Sequence, residues 1–181
     1  MQNTYIKAIK KLITISTIVL ISTWVILSVF RLIVGYELFE VAETFQLKSN
    51  LTQSEAMYSI NKYITLGIYS NITYVLTFIA MIFLYLVNKG KLKIRGWVFI
   101  SIALFILFLP AEVYLILNDI DMYYYINSFS VMKQDNFDGV VHLFKMRFLS
   151  DVFKTLVPMS IMSHIAIVLF LIFKPLDKNE S

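Results

Sequence analysis

No cysteine occurs in this sequence of 181 residues. Disulfides, thiolate metal sites and cysteine nucleophiles are thereby excluded together. Glycine is scarce, with five in all and none clustered, so no loop of the phosphate-cradling kind can be assembled. Only two histidines are present, His142 and His164. Charge is sparse too: 15% of residues are charged, against about one quarter in soluble domains.

What fills the space is apolar. The chain is 59% hydrophobic with a mean hydropathy of +0.74. A hydrocarbon core about 30 Å thick requires about 20 apolar residues of helix to cross it. Four runs meet that requirement, at about 12–34, 64–87, 97–117 and 152–173. The first follows Lys7, Lys10 and Lys11, but it is longer than a secretory leader's apolar core and lacks a small-x-small cleavage site, so it is expected to be retained.

Lysine and arginine concentrate on the cytoplasmic side of short loops. The linker "NKGKLKIR" (88–95) has four positive charges and no negative one, which assigns it, with the N-terminus, to the cytoplasm. The outer segments are then 35–63, rich in Glu37, Glu40, Glu43 and Glu55, and 118–151. Both termini fall inside. The net charge of +4 is explained by this clustering at helix ends and gives no reason to invoke nucleic acid. The abundance of Ile, Lys, Asn, Tyr and Phe suits an AT-rich bacterial genome, hence a bacterial cytoplasmic membrane.

The expected fold is an all-α membrane protein, one domain over 1–181, with four transmembrane helices in an up-down-up-down bundle extended beyond the outer leaflet. Glu37, Glu40 and Glu43 recur every three residues, so helix one is expected to continue outward for several turns. "TQSE" (Thr52 to Glu55) has the form of a capping box, which starts helix two near Gln53. "NDIDMYYYI" carries helix three into an interfacial belt of tyrosines. "SVMKQDNFDG" (130–139) reads as a loop, and from about Asp138 a helix is expected to run into helix four without a break. Lys174 and Pro175 should end that helix.

Intramembrane charge is costly, about 2.5–3.5 kcal/mol at a helix centre, so it is paired or lines a cavity. Arg31 and Glu112 qualify, and pairing between them is the simplest expectation. Asn71 and His164 lie in the same outer half of their helices, as do Pro110 and Pro158. The candidate polar cluster is therefore Arg31, Asn71, Glu112 and His164. It is either a set of helix-pinning contacts or an outward cavity for a lipid headgroup, a polar solute or a proton.

Other motifs carry less. "QDNFDG" would need acidic first and twelfth positions to bind calcium but has Gln134 and Lys145 there. His142 with Asp138 lacks a third ligand, and the glutamate stripe reads as a solvated face. No catalytic, cofactor or metal residues are assigned. The spans lack small-xxx-small seams and so prescribe no oligomeric state.

The leading expectation is an integral membrane accessory, sensor or binding protein without catalytic activity, contacting lipid or a protein partner through its outer cap or an outer-leaflet groove. A transporter-like protein binding a solute or proton at Arg31, Glu112 and His164 is the alternative. A membrane enzyme on lipid-like substrates is the third.

Overall fold

The computed structural model describes residues 2–40, 46–92, 95–128 and 134–175. Among them the chain forms α1 (Gln2–Tyr36), α2 (Gln53–Asn88), α3 (Gly96–Asn127), α4 (Gln134–Leu149) and α5 (Asp151–Phe173), with a short 3₁₀ turn at Lys89–Lys91. Four of these, α1, α2, α3 and α5, are long and apolar enough to cross a membrane. Only 17, 28, 28 and 39% of their apolar windows are buried. Most of that surface would therefore be an aggregation liability in water, but it suits contact with lipid chains.

Several helix ends are set by local chemistry. At the start of α2, Thr52 Oγ1 accepts from the Glu55 N–H at 3.3 Å, while Glu55 accepts from the Thr52 N–H at 2.8 Å and from its hydroxyl at 2.7 Å. This is the reciprocal capping box that the sequence announces. These hydrogen bonds, the hydroxyl's first, hold the Glu55 carboxyl below its usual pKa. At the far end of α5, Lys174 adopts a left-handed backbone, φ 47°, and Pro175 follows, so the helix stops where expected.

Three expectations are corrected. Helix one ends at Tyr36 and does not continue along the glutamate stripe. Past it the chain turns back on itself: Phe39 and Leu47 form an antiparallel bridge, the Glu40 N–H donates to Gln46 O, and the Lys48 N–H to Leu38 O. Leu38 and Phe39 are buried, and the burial of Phe39 against Phe144 and Phe148, each centroid 5.8 Å away, outweighs the helical spacing of Glu37 and Glu40. Glu43 lies outside the described residues, as do 130–133 of the expected loop. Second, helical structure in this region begins at Gln134, ahead of Asp138.

Third, α4 and α5 are separated at Ser150. The Ser150 N–H closes α4 on Met146 O, while its carbonyl accepts the first bond of α5 from the Lys154 N–H at 3.0 Å. Asp151 then sits in the first turn of α5, where its charge complements the helix dipole. The Ser-Asp pair was a start signal inside an otherwise continuous apolar pattern.

By contact the chain groups into two compact units, the first comprising 1–26, 71–110 and 160–181 and the second 27–70 and 111–159. The first has a core of Ile21, Trp24, Tyr74, Phe105, His164 and Ile167. Three of its buried hydroxyls bond their own helices, Thr17 to Ile13 O, Thr77 to Thr73 O and Ser101 to Trp97 O, while Ser163 Oγ has no hydrogen-bond partner among the described residues. A small polar side chain satisfied this way can occupy a packed helix face without an unpaired donor. The second unit is centred on Tyr63, Phe39, Phe144 and Phe148, rings that meet at 4.8 to 5.8 Å.

Candidate binding site: a buried charge cluster and the pocket beside it

Arg31 on α1 is the residue whose placement costs most, and within the second unit its two terminal nitrogens meet a carboxylate, while its buried Nε–H has no acceptor among the described residues. Nη1 donates to Asp119 Oδ2 and Nη2 to Asp119 Oδ1, both at 2.6 Å. Such a bidentate, charge-assisted pair is the strongest form available to arginine. The side chains are 11% and 7% exposed. The Tyr63 ring lies under the guanidinium, 4.2 Å from centroid to Cζ, adding a cation–π contact.

Space for it comes from Gly67 on α2. A Cβ at this position would lie 2.9 Å from both Cζ and Nη2 of Arg31. The glycine is thus required by the arginine, in the middle of a helix where glycine otherwise costs about 1 kcal/mol.

Asp119 holds a second cation. Arg147 on α4 pairs through Nη1 with Oδ1 of the same carboxylate, and its Cζ lies 5.4 Å from the Phe153 ring and 5.8 Å from Tyr63. Glu112, also buried, acts electrostatically on Arg31. Two guanidiniums therefore stand against two carboxylates, a formal balance that makes burial tolerable.

The sequence singled out Arg31 and Glu112 but put Asp119 in the interfacial belt and gave Arg147 no role. Asp119 follows Glu112 by seven residues, two turns along the same face of α3. Arginine near a span's end extends its long side chain toward the polar boundary, so the carboxylate further out receives it. Arg147 was legible too: Val140, Phe144 and Phe148 form the buried face of α4, and position 147 falls on it.

Of the predicted cluster, Arg31 and Glu112 belong to the second unit and Asn71 and His164 to the first. His164 is fully buried. Its Nδ1 lies 2.8 Å from Ser160 O, and because a carbonyl only accepts, Nδ1 is the donor. The ring packs against Trp24 at 4.2 Å, Phe105 at 5.7 Å and Tyr74 at 5.8 Å. That is an aromatic box around the imidazole.

The charge cluster of the second unit adjoins a pocket of about 470 Å³, within the range of small-molecule sites. α3 contributes Asn118, Asp121 and Met122, α4 contributes Leu143 and Arg147, and Ser150 and Phe153 close it from the start of α5. Arg147 is a charge of this wall, its side chain 10% exposed, and its Nε–H is enclosed by protein without a hydrogen-bond acceptor among the described residues. A guanidinium side chain on a cavity wall can meet an anionic oxygen.

Neither the family models, nor the curated proteins, nor the solved structures include a match to this chain.

Proposed function

We propose that this is an integral protein of a bacterial cytoplasmic membrane that binds an amphiphile in the pocket of its second unit and performs no chemistry on it. The observation that carries this reading is a pocket of about 470 Å³ that brings the charged side chains of Arg147 and Asp121 against apolar walls. The pocket's other walls, Met122, Leu143 and Phe153, suit a hydrocarbon chain entering beside a polar group. Binding is favoured over catalysis because Asp119 is engaged by two guanidiniums and so is a poor general base. The same pairing favours a fixed scaffold over a transport path through Arg31.

In this reading both termini are cytoplasmic, in keeping with the clusters Lys7 to Lys11 and Lys89 to Arg95, and the helices run up-down-up-down. At about 1.5 Å per residue the 36 residues of α2 and 32 of α3 measure about 54 and 48 Å, well beyond a core of about 30 Å. The excess lies at Gln53–Tyr63 and Asn118–Asn127, which with α4 form the outer cap. α1 ends too early to join it.

The test is the lipid that the full chain carries through purification in mild detergent, quantified by mass spectrometry. Wild type should retain one amphiphile per chain. Leu143→Trp, which fills the pocket from a partly exposed position, should retain none while folding normally. Equal retention in both would refute the reading.

A further inference from the structure

Arg31 and Arg147 both meet Asp119. The chain's remaining arginine does not. Arg95, just before α3 in the first unit, has a neutral amide as its partner: Nη1 donates to Asn88 Oδ1 at 2.6 Å. Asn88 is itself held, since its Nδ2 donates to Leu84 O at 2.9 Å, one turn back on α2. The guanidinium is thus oriented by a buried side chain that carries no charge to cancel its own. Arg95 is half-buried, and its Nε and Nη2 find no acceptor among the described residues; unlike the Nε atoms of Arg31 and Arg147, they are not enclosed by protein.

α5 brings a second cation to the same end. Lys174 follows the last turn of α5 with a left-handed backbone, and its Nζ lies 5.8 Å from the centre of the Trp97 ring, two residues along from Arg95. Trp97 is buried, 3% exposed, and so is a fixed platform for an exposed ammonium. No carboxylate answers either charge. The described residues of the first unit include neither Asp nor Glu; Asp177 and Glu180 lie outside them, and every other acidic residue of the chain belongs to the second unit. Topology requires only the sign of these charges. It does not require a guanidinium fixed by a buried amide or an ammonium fixed on a buried indole.

Basic groups between helix ends at the cytoplasmic boundary are a setting in which anionic headgroups bind. We propose that Arg95 and Lys174 hold the phosphate of an anionic phospholipid of the cytoplasmic leaflet, of the phosphatidylglycerol type. Arg95 supplies the directed contact, because Nε and Nη2 form one edge of the guanidinium and can donate side by side to two phosphate oxygens. The side of the membrane follows the topology proposed above, whereas the site itself lies in the first unit and shares no residue with the pocket of the second. Held by its headgroup alone, such a lipid exchanges in detergent. It is therefore measured in a bilayer and adds nothing to the single amphiphile that the pocket retains.

The test places the ¹⁵N-arginine-labelled full chain in nanodiscs of dioleoyl phosphatidylcholine and replaces that lipid stepwise with dioleoyl phosphatidylglycerol, following the Arg95 Nε–H signal. The signal should move and saturate as phosphatidylglycerol rises, and in Lys174→Gln half-saturation should need about fivefold more of it. Lys7→Gln removes the same charge from the N-terminal cluster and should shift half-saturation by less than about twofold. An Arg95 signal that stays in place up to equal parts of the two lipids would overturn the proposal. So would an equal loss in Lys7→Gln and Lys174→Gln, which would leave only diffuse attraction to a charged surface. Inorganic phosphate added to discs of phosphatidylcholine alone should leave the signal where it is; a matching movement would overturn the lipid in favour of a soluble phosphate.

Discussion

Asp119 is the residue on which the second unit depends most. It pairs with two guanidiniums at once, so removing it takes a buried partner from both. Asp119→Ala should cost about 3–5 kcal/mol of stability, read as a lowered unfolding temperature in detergent. An unchanged unfolding temperature would show that the cluster is more hydrated than its burial indicates. Gly67→Ala supplies an independent check at the same place. In an open helix alanine would stabilise, but here its Cβ would press on an arginine pinned by Asp119, and the net effect should be a loss of about 1 kcal/mol or more. In an Asp119→Ala background the arginine is free to move, so the cost of Gly67→Ala should largely vanish, a coupling that only contact between these groups produces. Sequence alone located the costly arginine and one buried carboxylate. It left out Asp119 because an aspartate beside three tyrosines has the composition of a membrane interface, and only the fold shows which way it faces.

Among the elements, the four apolar helices were legible because length and hydropathy decide them with little help from packing. The capped start of α2 was legible for a local reason, since Thr52 and Glu55 satisfy each other within one turn. Its test is local as well. Thr52→Ala should cost about 1 kcal/mol and raise amide exchange in the first turn of α2. Because the folded Glu55 carboxyl sits below its usual pKa, the support it gives is complete above the unfolded glutamate pKa and is lost as pH falls through the folded value. Exchange at that turn should therefore accelerate on acidification in wild type and respond much less in Glu55→Gln; a pH response identical in the two would contradict the cap. What the sequence misplaced were the points where a distant contact wins. α1 stops because Phe39 is drawn into an aromatic cluster built from α4, and the break at Ser150 interrupts a pattern whose apolar residues alone suggest one helix.

For the whole molecule the absence of cysteine turns topology into a clean measurement. Single cysteines at Ser49 and at Lys89 can be labelled in intact cells with a membrane-impermeant maleimide against a silent background. The account expects Ser49→Cys to react and Lys89→Cys to be protected until the membrane is opened; the reverse pattern would place the pocket at the cytoplasmic face and exclude an outer-leaflet ligand. The binding claim itself can be followed at the arginine that lines the pocket. The chain has three arginines, Arg31, Arg95 and Arg147, so the side-chain Nε–H region of a ¹⁵N-arginine spectrum contains three signals, assignable by one substitution each. On returning the lipid that copurifies to the delipidated full chain, the Arg147 signal should move, because Arg147 lines the pocket, while those of Arg31 and Arg95, which do not, stay in place. A stationary Arg147 signal with lipid demonstrably bound would contradict the account.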